Sequence, residues 1–76
     1  MVRANFNITD SEGAISTLYP PLQWNECTSH RKMLTDVREW LHSHHPTWER
    51  AMVYLAHNTG GASFCESFQI YRRQEL

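Results

Sequence analysis

Apolar and polar residues alternate strictly near the start of the chain. Val2, Ala4, Phe6 and Ile8 fall on one side of an extended backbone, and Arg3, Asn5, Asn7 and Thr9 on the other. A period of two is the pattern of a strand with one buried face. Asp10-Ser11-Glu12-Gly13 carries turn chemistry, with Gly13 free to adopt positive φ. Ala14 to Tyr19 then returns with the β-formers Ile15, Thr17 and Tyr19, so the two segments predict a hairpin. Pro20-Pro21 ends the second strand, because proline has no N–H to give to a ladder. Leu22 to Glu26 reads as a connector.

The period then changes. Met33, Leu34, Val37, Trp40, Leu41 and His44 follow one another at spacings of one, three and four residues. That is the stripe of an amphipathic helix lying on a core. Thr28 or Ser29 is placed to cap its start. Pro46 cannot continue it and biases His45 away from helical geometry. The spacing predicts a helix from about Ser29 to His44. Lys32 and Asp36 sit four apart on its exposed side, a pair worth about 0.2–0.5 kcal/mol.

Beyond Pro46 two readings compete. Trp48, Ala51, Met52 and Leu55 are spaced for a helix, with Thr47 as cap and Gly60 as terminator. Met52-Val53-Tyr54-Leu55 is equally a buried strand. The segment after Asn58-Thr59-Gly60-Gly61 has strand character in Ser63, Phe64, Cys65, Phe68, Ile70 and Tyr71. A turn between two β-rich runs predicts a hairpin, which favours strand for Arg50 to His57. On the last strand Ala62, Phe64, Phe68 and Ile70 share a face that Glu66 interrupts. Either a bulge near Cys65 to Ser67 resets the register, or Glu66 is an inward charge on a sheet edge. The expected fold is α+β with the order ββαββ: a four-stranded antiparallel sheet with one amphipathic helix packed on one face. Residues 1–76 are expected to form a single compact domain.

Length sharpens the picture. A chain of 76 residues buries only roughly 60% of the surface it exposes unfolded, so a metal, a disulfide or a second copy would each help it. The apolar fraction of 41% and charged fraction of 20% are those of a globular chain. Lys plus Arg number 7 against 8 for Asp plus Glu. That balance argues against whole-molecule attraction to nucleic acid or to anionic membranes. All the basic residues except Lys32 are arginine, the better residue for bidentate and stacked contacts. The first residues lack the apolar core of a signal peptide, and no apolar run approaches the ~20 residues needed to span a bilayer. The expected location is cytoplasmic, with Cys27 and Cys65 reduced and the Asn7-Ile8-Thr9 sequon unused.

Candidate chemistry is thin. Cys27-x-x-His30 and His42-x-x-His45 resemble zinc spacings. On one helix, however, the two pairs stand ~20 Å apart at 1.5 Å per residue and cannot share an ion. A site of His42, His45 and His57 survives that objection, but the expectation is no metal and no cofactor. Histidines at a helix C-terminus suit the negative end of its dipole, and three together there could sense pH. Gly60-Gly61 lacks the lysine of a P-loop, and no pair of carboxylates is placed for acid–base work, so an enzyme is not expected.

The aromatic residues say more. Phe6, Trp40, Tyr54, Phe64 and Phe68 suffice for one helix–sheet layer. The remaining rings either close the ends of the core, as lids at Trp24 and Trp48, or lie on the surface. Exposed Trp, Tyr and Arg carry much of the binding energy at interfaces. The expected contact residues are Tyr19, Trp24, Trp48, Tyr71, Arg72 and Arg73. The expected function is a non-catalytic accessory protein that binds and modulates a larger host or cognate protein, most simply by inhibiting it. Phage and mobile-element products offer an analogy of size and architecture. A homodimer hiding one sheet face or edge is a further expectation. The rival class is a single-stranded nucleic-acid binder using the sheet face and Tyr71-Arg72-Arg73, with Arg3 nearby.

Overall fold

The alternating segment becomes β1 (Val2–Asp10), which lies inside an antiparallel sheet and presents Val2, Ala4, Phe6 and Ile8 to the core. The structure, a computed structural model, describes residues 1–59 and 61–73. After β1 come β2 (Ile15–Leu18), β3 (Gln23–Trp24), α1 (His30–His44), β4 (Trp48–Thr59) and β5 (Ala62–Tyr71). The sheet order is β2-β1-β4-β5, with β3 also paired to β1. The protein is therefore mixed α+β, with one helix and a five-stranded antiparallel sheet among the described residues.

The extra strand is the segment read as a connector. Leu18 pairs with Phe6, and Trp24 with Val2. The five residues between Leu18 and Trp24 thus face the three between Val2 and Phe6, and the two additional ones form a bulge at Pro20-Pro21. Prolines suit that place because a bulged residue leaves the ladder. Ala4 N–H still reaches Leu22 O, at 3.4 Å. In the β1–β2 turn the Asp10 carboxylate accepts from Glu12 and Ala14 N–H, both at 2.9 Å. Gly13 closes that turn with φ of 86°, a conformation that costs a residue with a side chain.

Ser29 is the N-cap of α1, its hydroxyl accepting from Lys32 N–H at 3.2 Å. His45 N–H closes the other end on Leu41 O at 2.8 Å. Met33, Val37 and Leu41 are buried against β1 and the inward residues Ala51, Val53 and Leu55 of β4. Burying each of the larger side chains stabilises by about 1.5–3 kcal/mol. Trp40 meets Phe6 edge-on at 5.7 Å, which adds a directional contact.

The strand reading of Arg50 to His57 holds, because tertiary pairing on both sides recruits the segment. β4 pairs with β1 from Val2↔His57 to Asp10↔Trp48 and with β5 from Arg50↔Tyr71 to Thr59↔Ala62. The β4–β5 register runs without a shift, so no bulge resets β5 and Glu66 is the inward charge on an edge. The irregularity in the sheet lies instead between Thr9 and Asp10, where Trp48 enters.

Trp48 is fully buried and joins the core. Its indole N–H donates to His42 Nδ1 at 3.3 Å, and the Arg38 guanidinium lies 5.5 Å from its ring centre. It therefore cannot be the surface contact that its residue type suggested. The lid reading describes it, and also Trp24, which is half-buried, pairs with Val2 across the sheet and donates to Asp36 Oδ2 at 2.8 Å. Phe64 and Tyr54 depart from expectation in the opposite sense. Phe64 is exposed beside His57, while Tyr54 lies in the outward row of β4.

Candidate partner-binding surface

With α1 on one face, the other face of the sheet is left open. Antiparallel pairing puts opposed residues on the same face. The open face therefore carries Arg3, Asn5, Asn7 and Thr9 of β1, and Arg50, Met52, Tyr54, Ala56 and Asn58 of β4. Ser63, Cys65, Ser67, Gln69 and Tyr71 of β5 complete it, with Ile15, Thr17 and Gln23 across the other edge. None of these paired positions is acidic, whereas Arg3 and Arg50 are basic.

The two edges differ. The β2/β3 edge is broken by the proline bulge. The β5 edge is ten residues long, in constant register, and contains neither Pro nor Lys. Natural sheets normally blunt such an edge with those devices. Arg72 N–H donates to Glu49 O at 2.8 Å. By the alternation of an antiparallel ladder, the even-numbered residues of β5 turn their backbone groups to β4, and Ser63, Cys65, Ser67, Gln69 and Tyr71 turn theirs outward. The Tyr71 carbonyl is taken by Arg38 Nη1 at 2.7 Å, which caps one end of the edge and leaves the remainder free among the described residues.

Alongside that edge, between α1 and β5, runs an open groove of about 260 Å³. Leu34, Phe68 and Ile70 supply its apolar surface, and Arg31 and Arg38 its charge. A shallow cleft of about 440 Å³ lies at the opposite edge, where Tyr19 and Pro20-Pro21 overhang Arg3 and Asn5.

No family model, curated protein or solved structure matches this chain. Its own residues carry the functional reading.

Of the six expected contact residues, Tyr71 and Arg73 are exposed at the end of β5, and Tyr19 is exposed at the other edge. Tyr19 and Tyr71 lie on opposite edges of the sheet and at different levels, since Tyr71 lines up through Arg50 and Thr9 with Ile15 rather than with Tyr19. Arg72 serves the fold: its guanidinium donates to Pro46 O and Trp48 O, while its carbonyl accepts from Arg38 Nη2 at 2.9 Å. Trp24 and Trp48 are packed as described. The groove residues Arg31, Leu34 and Arg38 escaped the sequence reading, because their relevance depends on β5 being an edge strand beside α1. Tyr54 and Met52 were readable in principle, since inward Val53 and Leu55 send their neighbours outward. Cys65 is exposed on the open face, and Cys27 is exposed as well, with no disulfide between them.

Histidines divide between the two ends of α1. His42 accepts from Trp48, and His44 stacks on Trp40 at 4.3 Å. His57 lies beside His30, with ring centres 6.4 Å apart. A shared His42–His45–His57 site is thereby excluded, because α1 holds its members at opposite ends. No helix among the described residues is long and apolar enough to cross a membrane.

Proposed function

We propose that this chain is a non-catalytic accessory protein that binds and modulates a larger protein by adding one of its strands to the β5 edge. The observation that supports this is the long outer edge of β5, which has no proline, lysine or bulge to blunt it, beside a groove with an apolar floor. An added strand would pair its backbone with Ser63, Cys65, Ser67 and Gln69, and every second side chain would face Leu34 and Phe68. Main-chain pairing supplies affinity in this mode and the side pockets supply specificity. Arg31 and Arg38 at the groove select a segment whose apolar anchors are flanked by Asp or Glu. Occupying that segment is how the protein would inhibit its partner. Tyr71 extends the contact onto the open face.

Nucleic acid is the weaker fit. Arg3, Arg50 and Arg73 would neutralise about three phosphates, fewer than the roughly six to ten contacts of a strongly electrostatic binder.

Capture from extracts of the source cells, followed by affinity measurement with the purified partner, tests the reading. Ser67→Pro is the informative variant, because the Ser67 N–H points outward and its loss breaks no bond inside the chain. The expected result is a protein partner whose affinity falls at least roughly tenfold with Ser67→Pro, about 1.4 kcal/mol, while the thermal midpoint holds. Unchanged affinity in a folded Ser67→Pro variant would overturn edge pairing. Retention abolished by nuclease would move the assignment to nucleic acid, and a chain that pairs only with itself would replace the larger partner by a homodimer.

A further inference from the structure

Glu66 is an inward-facing carboxylate on a strand whose other inward residues are apolar, and nothing in the packing of the sheet requires it. Its surroundings give it a role. His57, directly inward on β4, and His30, the first residue of α1, converge on it. His30 Nε2 lies 2.6 Å and His57 Nε2 3.6 Å from Glu66 Oε2. One ligand atom from each of the three residues falls within 4.8 Å of the other two. His57 Nε2 is buried and has no hydrogen-bond partner among the described residues, and the buried Glu66 Oε2 has only the close approach of His30 Nε2. Buried polar atoms are costly to leave unmatched, and each such case calls for an explanation.

The geometry points to a binding site for a single divalent transition-metal ion of the zinc class, held by His30, His57 and Glu66. Two imidazoles and a carboxylate are a regular zinc donor set. Donors about 2.1 Å from a tetrahedral ion lie roughly 3.4 Å apart. The His57–Glu66 separation already matches that spacing. The His30 side chain is 51% exposed, so it is free to adjust toward that spacing. His57 is only 11% exposed, and its ring lies flat on Phe64 at 4.3 Å, 6° from parallel. His30 is braced by Phe68 at 5.3 Å. Rings fixed in this way keep their nitrogens aimed at one point. The fourth position opens on the solvent side of His30 and takes a water molecule. An ion there ties the start of α1 to both β4 and the edge strand β5, a staple of the kind small domains use. This inference does not depend on the partner reading: Phe68 borders both the groove and the cluster, but the ion needs no occupant of the groove.

The test is zinc chloride titrated into chelator-stripped protein, followed by calorimetry and by thermal melting. The expected result is one ion per chain and a higher thermal midpoint. Glu66→Gln and His30→Ala should each weaken binding at least tenfold, whereas His44→Ala should leave it unchanged. Glu66→Gln is nearly isosteric at a side chain that is 32% exposed, so its metal-free form should melt close to the wild type, which separates loss of binding from loss of fold. Absence of a heat signal and of any midpoint shift would overturn the site. Zinc binding that survives both Glu66→Gln and His30→Ala but disappears with His44→Ala would overturn it as well, by moving the ion to the other end of α1.

Discussion

Tyr19 and Trp48 look alike in the sequence, large rings beside a chain reversal, yet Tyr19 is 78% exposed and Trp48 has no exposed surface. The difference comes from register: Trp48 enters the sheet at the irregularity opposite Asp10 and turns inward, whereas Tyr19 leads into the proline bulge. Trp48→Ala should cost about 3–5 kcal/mol, the range for emptying a large aromatic site in a core. Tyr19→Ala should stay within about 0.5 kcal/mol. Urea denaturation measures both, and equal effects would contradict the placement of the two rings. A single sequence shows that a Trp is present, not which way its bulge turns it, which is why Trp48 reads as a surface contact until its pairing is known. Asp36 makes a second prediction at this scale. Hydrogen bonds from Lys32 and Trp24 hold its carboxyl below the ordinary value of 3.8, while the same contact raises the Lys32 ammonium. A lowered carboxyl pKa contributes stability that is complete above the unfolded value and is lost as pH falls through the folded one. Thermal midpoints should therefore drop below about pH 4, and Asp36→Asn should flatten that drop.

Among the elements, α1 and the first hairpin were the most legible. Their periods of 3.6 and 2 run for several residues without interruption, and the caps fall at the ends the residues announce. Ser29→Ala should cost about 1 kcal/mol, the usual loss of a side-chain N-cap, read as a lower urea midpoint. The strand from Arg50 to His57 was only half legible, because Met52, Val53 and Leu55 suit a helix as well as a sheet and the decision lies with the strands on either side. β3 was hidden altogether: two residues beyond a pair of prolines carry no periodic signal, and only the open edge of β1 gives them a partner. Glu66 left two readings, and the constant β4–β5 register decides between them.

At the scale of the whole molecule, one helix covers one side of a sheet that has two sides and one unguarded edge. That much was legible as a surplus of rings and arginines. Which of them face outward was not, because it depends on strand order. Tyr71 and Arg73 remain at the β5 end, while Trp24, Trp48 and Arg72 are committed to the fold. The cluster of His30, His57 and Glu66 joins three elements that are distant in sequence, so spacing rules built on neighbouring residues pass over it.

Amide hydrogen exchange along β5, measured on dilute monomer, tests the open edge most directly. Fast exchange is predicted at Ser63, Cys65, Ser67 and Gln69, alternating with slow exchange at Phe64, Glu66, Phe68 and Ile70, and the fast set should slow when the partner strand binds. Uniform protection along β5 in the free monomer would show that its edge is already paired, and would contradict the claim that it is kept for another chain.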